Sequence, residues 1–139
     1  MGENFDVAIL KQAIEKLIAQ GTAIFYSGMA VGFDLIAAAQ VLECKKDYPF
    51  IKLVACVPCP GQDKYYSLEQ KKRYACILKQ CDEVITVSDK YYDGCMLARD
   101  RDMVDYCDKV IAYLDGRNEG GTAYTVRYAR AQGKQIYII

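Results

Sequence analysis

The chain has no histidine and no tryptophan. The first absence excludes more. Without imidazole there is no Ser-His-Asp or Cys-His activation of a nucleophile, and the commonest metal ligand is missing. Any chemistry must come from carboxylates, tyrosine, lysine, arginine, cysteine or the backbone. Charge of one sign is also absent in the net, since 18 basic residues cancel 18 acidic ones. No overall field draws such a chain to DNA, RNA or an anionic membrane, which argues against a nucleic-acid partner. Apolar runs of membrane-spanning length are lacking, as is a basic-then-apolar leader, so no membrane partner is expected and the expected location is cytoplasmic. Cysteine is not scarce, but its count of seven is odd. With no export signal, these residues are read as reduced thiols that act mostly as small buried hydrophobes. What remains is a chain of 139 residues, 53% hydrophobic and 26% charged, which suits one globular domain over 1–139.

The stretch around which the rest is organised is Ser27-Gly-Met-Ala-Val-Gly-Phe-Asp34. Thr22-Ala-Ile-Phe-Tyr26 before it is apolar and β-branched, as in a buried strand. Leu35, Ala38, Ala39 and Leu42 after it have helical spacing. A strand that turns through two glycines into a helix brings free N–H groups and the positive end of a helix dipole to one point, which suits an anion such as phosphate. The spacing is G-x-x-x-G, not the dinucleotide G-x-G-x-x-G, and a tight strand-to-helix turn would use the same glycines. Both readings stand at this level.

Along the chain, residues 5–20 form an amphipathic helix that Gly21 stops. A strand at 51–57 is closed by Pro58-Cys-Pro-Gly61. The helix after it is capped by Ser67, with Gln70 at capping-box distance, and runs to about 80. A strand follows at 83–87, a helix at about 95–106, a strand at 110–114, a helix opened by Thr122, and a last strand at 135–139. Strands alternating with helices predict an α/β fold of three layers, α/β/α, with a mostly parallel sheet. In such sheets ligands sit beyond the carboxyl ends of the strands. The loops placed there are 27–34, 58–66, 88–101 and 115–122.

Four other groups of residues carry a possible role. Gly120-Gly121-Thr122 at a loop-to-helix junction is a second candidate anion cradle, or an ordinary glycine turn. Arg99-Asp-Arg-Asp102 could supply guanidinium groups to a phosphate, or be a solvated helix start with local ion pairs. Tyr65, Tyr66, Tyr91 and Tyr92 lie in edge loops where they could stack on a base. Cys56-Val-Pro-Cys59 has redox spacing, but Cys56 falls inside a strand and no helix start stabilises its thiolate, so two unrelated thiols are expected. Zinc is not expected, for lack of a second matching pair.

Taken together, Ser27–Asp34, the Pro58…Gln62…Tyr66…Tyr74 loop and helix, Arg99-Asp-Arg-Asp-Met-Val-Asp105 with Asp108, and Gly120-Gly-Thr-Ala-Tyr-Thr125 resemble the YpsA-like family, the domain of unknown function 1273. That family belongs to the SLOG superfamily of Rossmann-like domains, with relatives among the LOG cytokinin-activating hydrolases and the DprA proteins. The resemblance covers essentially the whole chain. It implies a Rossmann-like sheet and a site for a nucleotide-derived ligand, with no settled reaction and no named cofactor. Family members usually begin with a strand ending in Thr-Gly-His-Arg or similar, whereas this chain starts on the helix after it. One sheet strand is therefore expected to be missing, and unpaired edges would invite self-association, so a homo-oligomer is expected. Asp100 stands where the family often has Asn, and Tyr66 replaces a frequent Trp. In LOG hydrolases a catalytic glutamate follows the motif threonine by three residues. Here Thr125 follows Thr122 at that distance, and a hydroxyl cannot serve as that carboxylate.

The expected function is thus the binding of a nucleotide-derived, phosphate-containing small molecule by Ser27, Gly28, Met29, Ala30, Gly32, Asp34, Pro58, Gln62, Tyr66, Arg99, Arg101, Gly120, Gly121 and Thr122. Asp34 either bonds a ribose hydroxyl or caps its helix. The alternatives are N-glycosidic or phosphoester hydrolysis using Asp34, Asp105 or Glu119, and single-stranded DNA binding, which the neutral charge disfavours.

Overall fold

In the computed structural model, residues 6–113 and 121–139 are described. The first helix, α1 (Val7–Ala19), starts where the Asp6 carboxylate accepts the Ala8 N–H at 2.8 Å. Leu10, Ile14, Leu17 and Ile18 recur at helical spacing and are buried. The chain then runs β1 (Ile24–Ser27), α2 (Phe33–Asp47), β2 (Lys52–Val57), α3 (Leu68–Gln80), β3 (Glu83–Thr86), α4 (Cys95–Tyr106), β4 (Lys109–Ala112), α5 (Gly121–Ala131) and β5 (Gln135–Ile138). Each element lies within a few residues of its expected place. The fold is the expected Rossmann-like α/β type.

In β2 every residue from Leu53 to Val57 is buried, so both faces of this strand are covered. It pairs in parallel with β1, Ile24 opposite Lys52, and with β3, Val54 opposite Glu83. Strand β4 pairs in parallel with β5, Lys109 opposite Gln135. A sheet built by right-handed crossovers carries its helices on both faces. The contacts agree, since α1 packs on α2, α2 on α3, and α4 on α5. The core between them is built from Leu10, Ile14, Leu35, Ile51 and Leu53, none more than 2% exposed. Each such side chain contributes about 1.5–3 kcal/mol by leaving water.

The sheet is not continuous. The described strands form a three-stranded sheet, β1-β2-β3, and a separate pair, β4-β5. Strand β1 faces β4 across a cleft, and the two are not hydrogen-bonded to each other.

Candidate functional site

The carboxyl end of β1 enters a loop held tightly from within. Ser27 Oγ accepts the Met29 N–H at 3.1 Å and donates to the Asp34 carbonyl at 3.3 Å. Met29 adopts a left-handed φ of 61° with its side chain fully buried, and Gly32 takes φ 95°, which glycine alone tolerates easily. The Gly28 carbonyl accepts from Arg99 Nη1 and from Gln62 Nε2, the latter at 2.9 Å. The Met29 carbonyl accepts from the Tyr66 hydroxyl at 3.1 Å, and Gln62 Oε1 accepts from the Tyr74 hydroxyl at 3.1 Å. Strand, loop and two distant helices therefore fix one short turn.

This network changes the roles expected of several residues. Gly28 is buried, and a Cβ there would lie 2.9 Å from Asp34 Oδ2 and 3.0 Å from Arg99 Nη1. It is glycine because a carboxylate and a guanidinium close over it, and its carbonyl carries the bracing bonds. Arg99 is 4% exposed; besides Gly28 it reaches the Cys56 carbonyl at 3.4 Å, and its Nε meets Asp100 Oδ1 at 2.7 Å. Asp100, the residue that departs from the family's Asn, is thus the arginine's counter-charge. Gln62 and Tyr66 are braces too, with Tyr66 packed edge-on to Tyr74 at 5.7 Å between ring centres. Pro58 is fully buried, and its carbonyl receives the Ser88 N–H at 3.1 Å. Arg101 is exposed and donates to the Tyr124 hydroxyl of α5 at 2.8 Å, away from the cleft. Gly120 lies outside the described residues. Gly121 is the first residue of α5, and Thr122 is exposed at the cleft.

Asp34 does not cap α2. The cap position is Gly32, and Asp34 sits in the first turn with its carboxylate accepting the Ala30 N–H at 3.4 Å. Burial raises its pKa above the usual carboxylate range, against the pull of the Arg99 guanidinium.

The cleft between β1 and β4 has a volume of about 1280 Å³. At its carboxyl-end mouth stand Ala30, Phe33 and Asp34 from one side, Met96 and Leu97 from α4, and Thr122 beside Tyr113. Phe33 and Tyr113 stack with ring centres 6.3 Å apart. The sequence reading missed Tyr113, Met96 and Thr125 here. The signal for the α4 contribution is Gly94, which takes φ 91° and starts that helix. Helix starts differ in a telling way. Away from the mouth, α1 is capped by Asp6 and α3 by a full capping box of Ser67 and Gln70. At the mouth, α2 and α4 begin on Gly32 and Gly94 with no side-chain cap; the N–H groups of Leu35 and Cys95 are taken by the Ala30 and Tyr92 carbonyls, and Phe33 and Gly94 line the cleft.

The cysteines are placed for packing. Burial pushes the Cys56 thiol up to about 12, and Cys59 is raised by burial and by the neighbouring Cys95 thiol. Neither is a thiolate near neutral pH. Among the described residues no three metal-ligating side chains of His, Cys, Asp or Glu gather, and no helix is long and apolar enough to cross a membrane.

The chain is 33% identical over 134 residues to the uncharacterized SPbeta prophage-derived protein YoqJ of Bacillus subtilis, covering 87% of this chain and 78% of that one. It is 27% identical over 134 residues to a UPF0398 protein of Brevibacillus brevis, covering 91% of this chain and 71% of the other. Among solved structures it is similar to DNA processing protein A (DprA) from Streptococcus pneumoniae, with a TM-score of 0.69 at 18% identity. That match covers 99% of this chain but about half, 47%, of DprA, and it speaks for the Rossmann-like fold alone. The model of the YspA SLOG family (YpsA) matches residues 6–139, and the chain therefore belongs to that family.

Proposed function

We propose that the chain binds a nucleotide-derived, phosphate-bearing small molecule at the carboxyl-end mouth of the cleft. The observation that carries this reading is the pair of helix starts without side-chain caps at Gly32 and Gly94, with Phe33, Gly94 and Thr122 in the first turn of α5 lining one opening. Such ends attract phosphate through aligned N–H groups and dipoles, without a formal positive charge. This matters because Arg99 is already held by Gly28, Cys56 and Asp100, and Arg101 faces elsewhere. In this reading the backbone, more than arginine, holds the phosphates. The Phe33–Tyr113 stack and Tyr91 offer aromatic surface for a base at the same opening. Gly28, Gln62, Tyr66 and Arg99 set the loop's shape and do not touch the guest.

Isothermal titration with AMP, ATP, NAD and ADP-ribose tests the proposal. At least one should bind with one-to-one stoichiometry, and Thr122→Glu, which puts a carboxylate on an exposed site at the mouth, should weaken it about ten-fold or more. Failure of all four to bind, or binding unmoved by Thr122→Glu, overturns it.

A further inference from the structure

Packing accounts for the burial of most cysteines, but not for what each sulfur touches. Cys81 Sγ donates to the Ile77 carbonyl at 3.4 Å and Cys107 Sγ to the Val104 carbonyl at 3.5 Å, each at the end of the helix it follows. Cys44 belongs to the apolar core, and Cys76 is exposed. Cys59 and Cys95 differ from these. They come from separate parts of the chain, Cys59 is 4% exposed and Cys95 not at all, and the two thiols are hydrogen-bonded to each other. A thiol is a weak donor and a weak acceptor, so this contact adds little to stability. It is, however, the juxtaposition from which an S–S bond forms.

The backbone explains why the two meet. Past the ends of β2 and β3 the chains stay paired, the Val57 carbonyl accepting the Val87 N–H at 2.9 Å and the Pro58 carbonyl accepting the Ser88 N–H at 3.1 Å. Cys59, the next residue, is thereby fixed against the segment that leaves β3. That segment then turns back: the Tyr92 carbonyl accepts the Cys95 N–H at 3.0 Å, and Gly94 at φ 91° makes Cys95 the first residue of α4. Tyr91 on this segment is 64% exposed, and its phenol stands near enough to both thiols to sense their charge. The side-chain bonds of the segment are local. Ser88 Oγ donates to the Lys90 carbonyl at 2.7 Å, and the Tyr91 hydroxyl donates to Asp93 Oδ1 at 3.3 Å. Bonds of this kind hold residues 88–94 to themselves more than to the core, so the segment opens at lower cost than the strands beside it.

We propose that Cys59 and Cys95 are a redox pair: a peroxide joins them in a disulfide that ties the loop after β2 to the first turn of α4, and a dithiol releases it. One sulfur, as its thiolate, attacks a peroxide oxygen; the O–O bond breaks, hydroxide leaves, and the sulfur becomes a sulfenic acid. The second sulfur attacks the first, the S–O bond breaks, and a second hydroxide leaves. The two thiol protons turn both hydroxides into water, so the pair loses two electrons and the peroxide gains them. In the reverse direction a dithiol exchanges with the bond, returns a proton to each cysteine and departs as its own disulfide. Burial keeps the Cys59 proton in place, so the closed fold resists oxidation and the reaction waits on the opening of 88–94. Cys56 has redox spacing from Cys59 but lies inside β2, fully buried, and is not the partner. The inference goes beyond the nucleotide reading and does not depend on it.

The test treats the full folded chain, without added nucleotide, with excess hydrogen peroxide. Urea and iodoacetamide then unfold it and cap the remaining thiols, and mass spectrometry of the digest identifies linked peptides. The Cys59–Cys95 linkage should be about ten-fold or more above any other, and dithiothreitol should remove it. Hydrogen exchange across residues 91–96 should slow in the oxidised chain and recover on reduction. Cys59→Ala and Cys95→Ala should each abolish the linkage, and the main readout, made on the unaltered chain, does not depend on either variant folding. Oxidation of Cys76 that leaves Cys59 and Cys95 as free thiols overturns the proposal. So does a bond from Cys59 to Cys56, or a Cys59–Cys95 bond that forms only when urea is present during the peroxide step.

Discussion

At the scale of single residues, the tightest point of the molecule is Gly28. A methyl group there meets Asp34 and Arg99 at about the limit of contact, and neither can swing away without losing its own partners. Gly28→Ala is expected to cost about 1–3 kcal/mol by overpacking, read as a lowered urea midpoint with an unchanged slope. Arg99→Met tests the same contact from the other side. It leaves the Asp100 carboxylate without its cation and removes a donor from two buried carbonyls, a loss of about 3–5 kcal/mol. A loss below 1 kcal/mol would mean that the loop is held by other means. A third residue, Asp82, ties the end of α2 to the start of β2. It takes Lys45 Nζ at 2.7 Å and the Leu53 N–H at 2.9 Å, and these hold its pKa below the ordinary 3.8. A lowered folded value stabilises above the unfolded pKa and is lost as pH falls through the folded one. Asp82→Asn should therefore destabilise at pH 7, and the gap from the unaltered chain should close at pH well below 3.8. Parallel urea titrations at the two pH values check it.

At the scale of elements, two kinds of helix start make opposite predictions. Helix α3 is closed by its own side chains, Ser67 Oγ accepting the Gln70 N–H at 3.1 Å and Gln70 Oε1 accepting the Ser67 N–H at 2.8 Å. Ser67→Ala should cost about 1 kcal/mol with no effect on ligand binding. Helix α4 starts on Gly94 in a left-handed conformation with open space where a side chain would stand. Gly94→Ala should cost about 1–2 kcal/mol from backbone strain alone, and Gly94→Asn distinctly less, because asparagine tolerates that conformation. Thermal melts of the three variants measure this directly. Equal losses for Ala and Asn would mean that packing, not φ, fixes the residue.

At the scale of the whole molecule, the division of the sheet governs behaviour. The β1-β2-β3 half has a strand buried on both faces, whereas β4 and β5 hydrogen-bond to each other, pack on α5 and reach the main core through Ile111 and Ile139. We expect native-state hydrogen exchange in low urea to show β4, β5 and α5 opening at a lower free energy than β2. One shared opening energy for both halves would show that the cleft does not divide the molecule's stability.

Much of this was legible in the chain itself, for local reasons. Helix limits follow from apolar spacing and from Ser67, Gly21 and Gly133; strand limits follow from β-branched runs such as Ile51–Val57; and motif order along the chain carries the family. These depend on neighbours within a few residues. What the chain left open was the direction in which each motif residue points. Arg99 read as a phosphate ligand or a solvated helix start, because it opens a helix at the carboxyl edge of the sheet, yet it spans 71 positions to brace the Gly28 carbonyl. Gln62 and Tyr66 turned inward for the same reason: polar carbonyls in a buried turn must find donors, and only the folded chain brings those donors within reach. The cleft, too, belongs to the tertiary structure. Local patterning determines that β1 and β4 are strands, but whether two strands meet or stand one strand apart is decided by the helices packed above and below them.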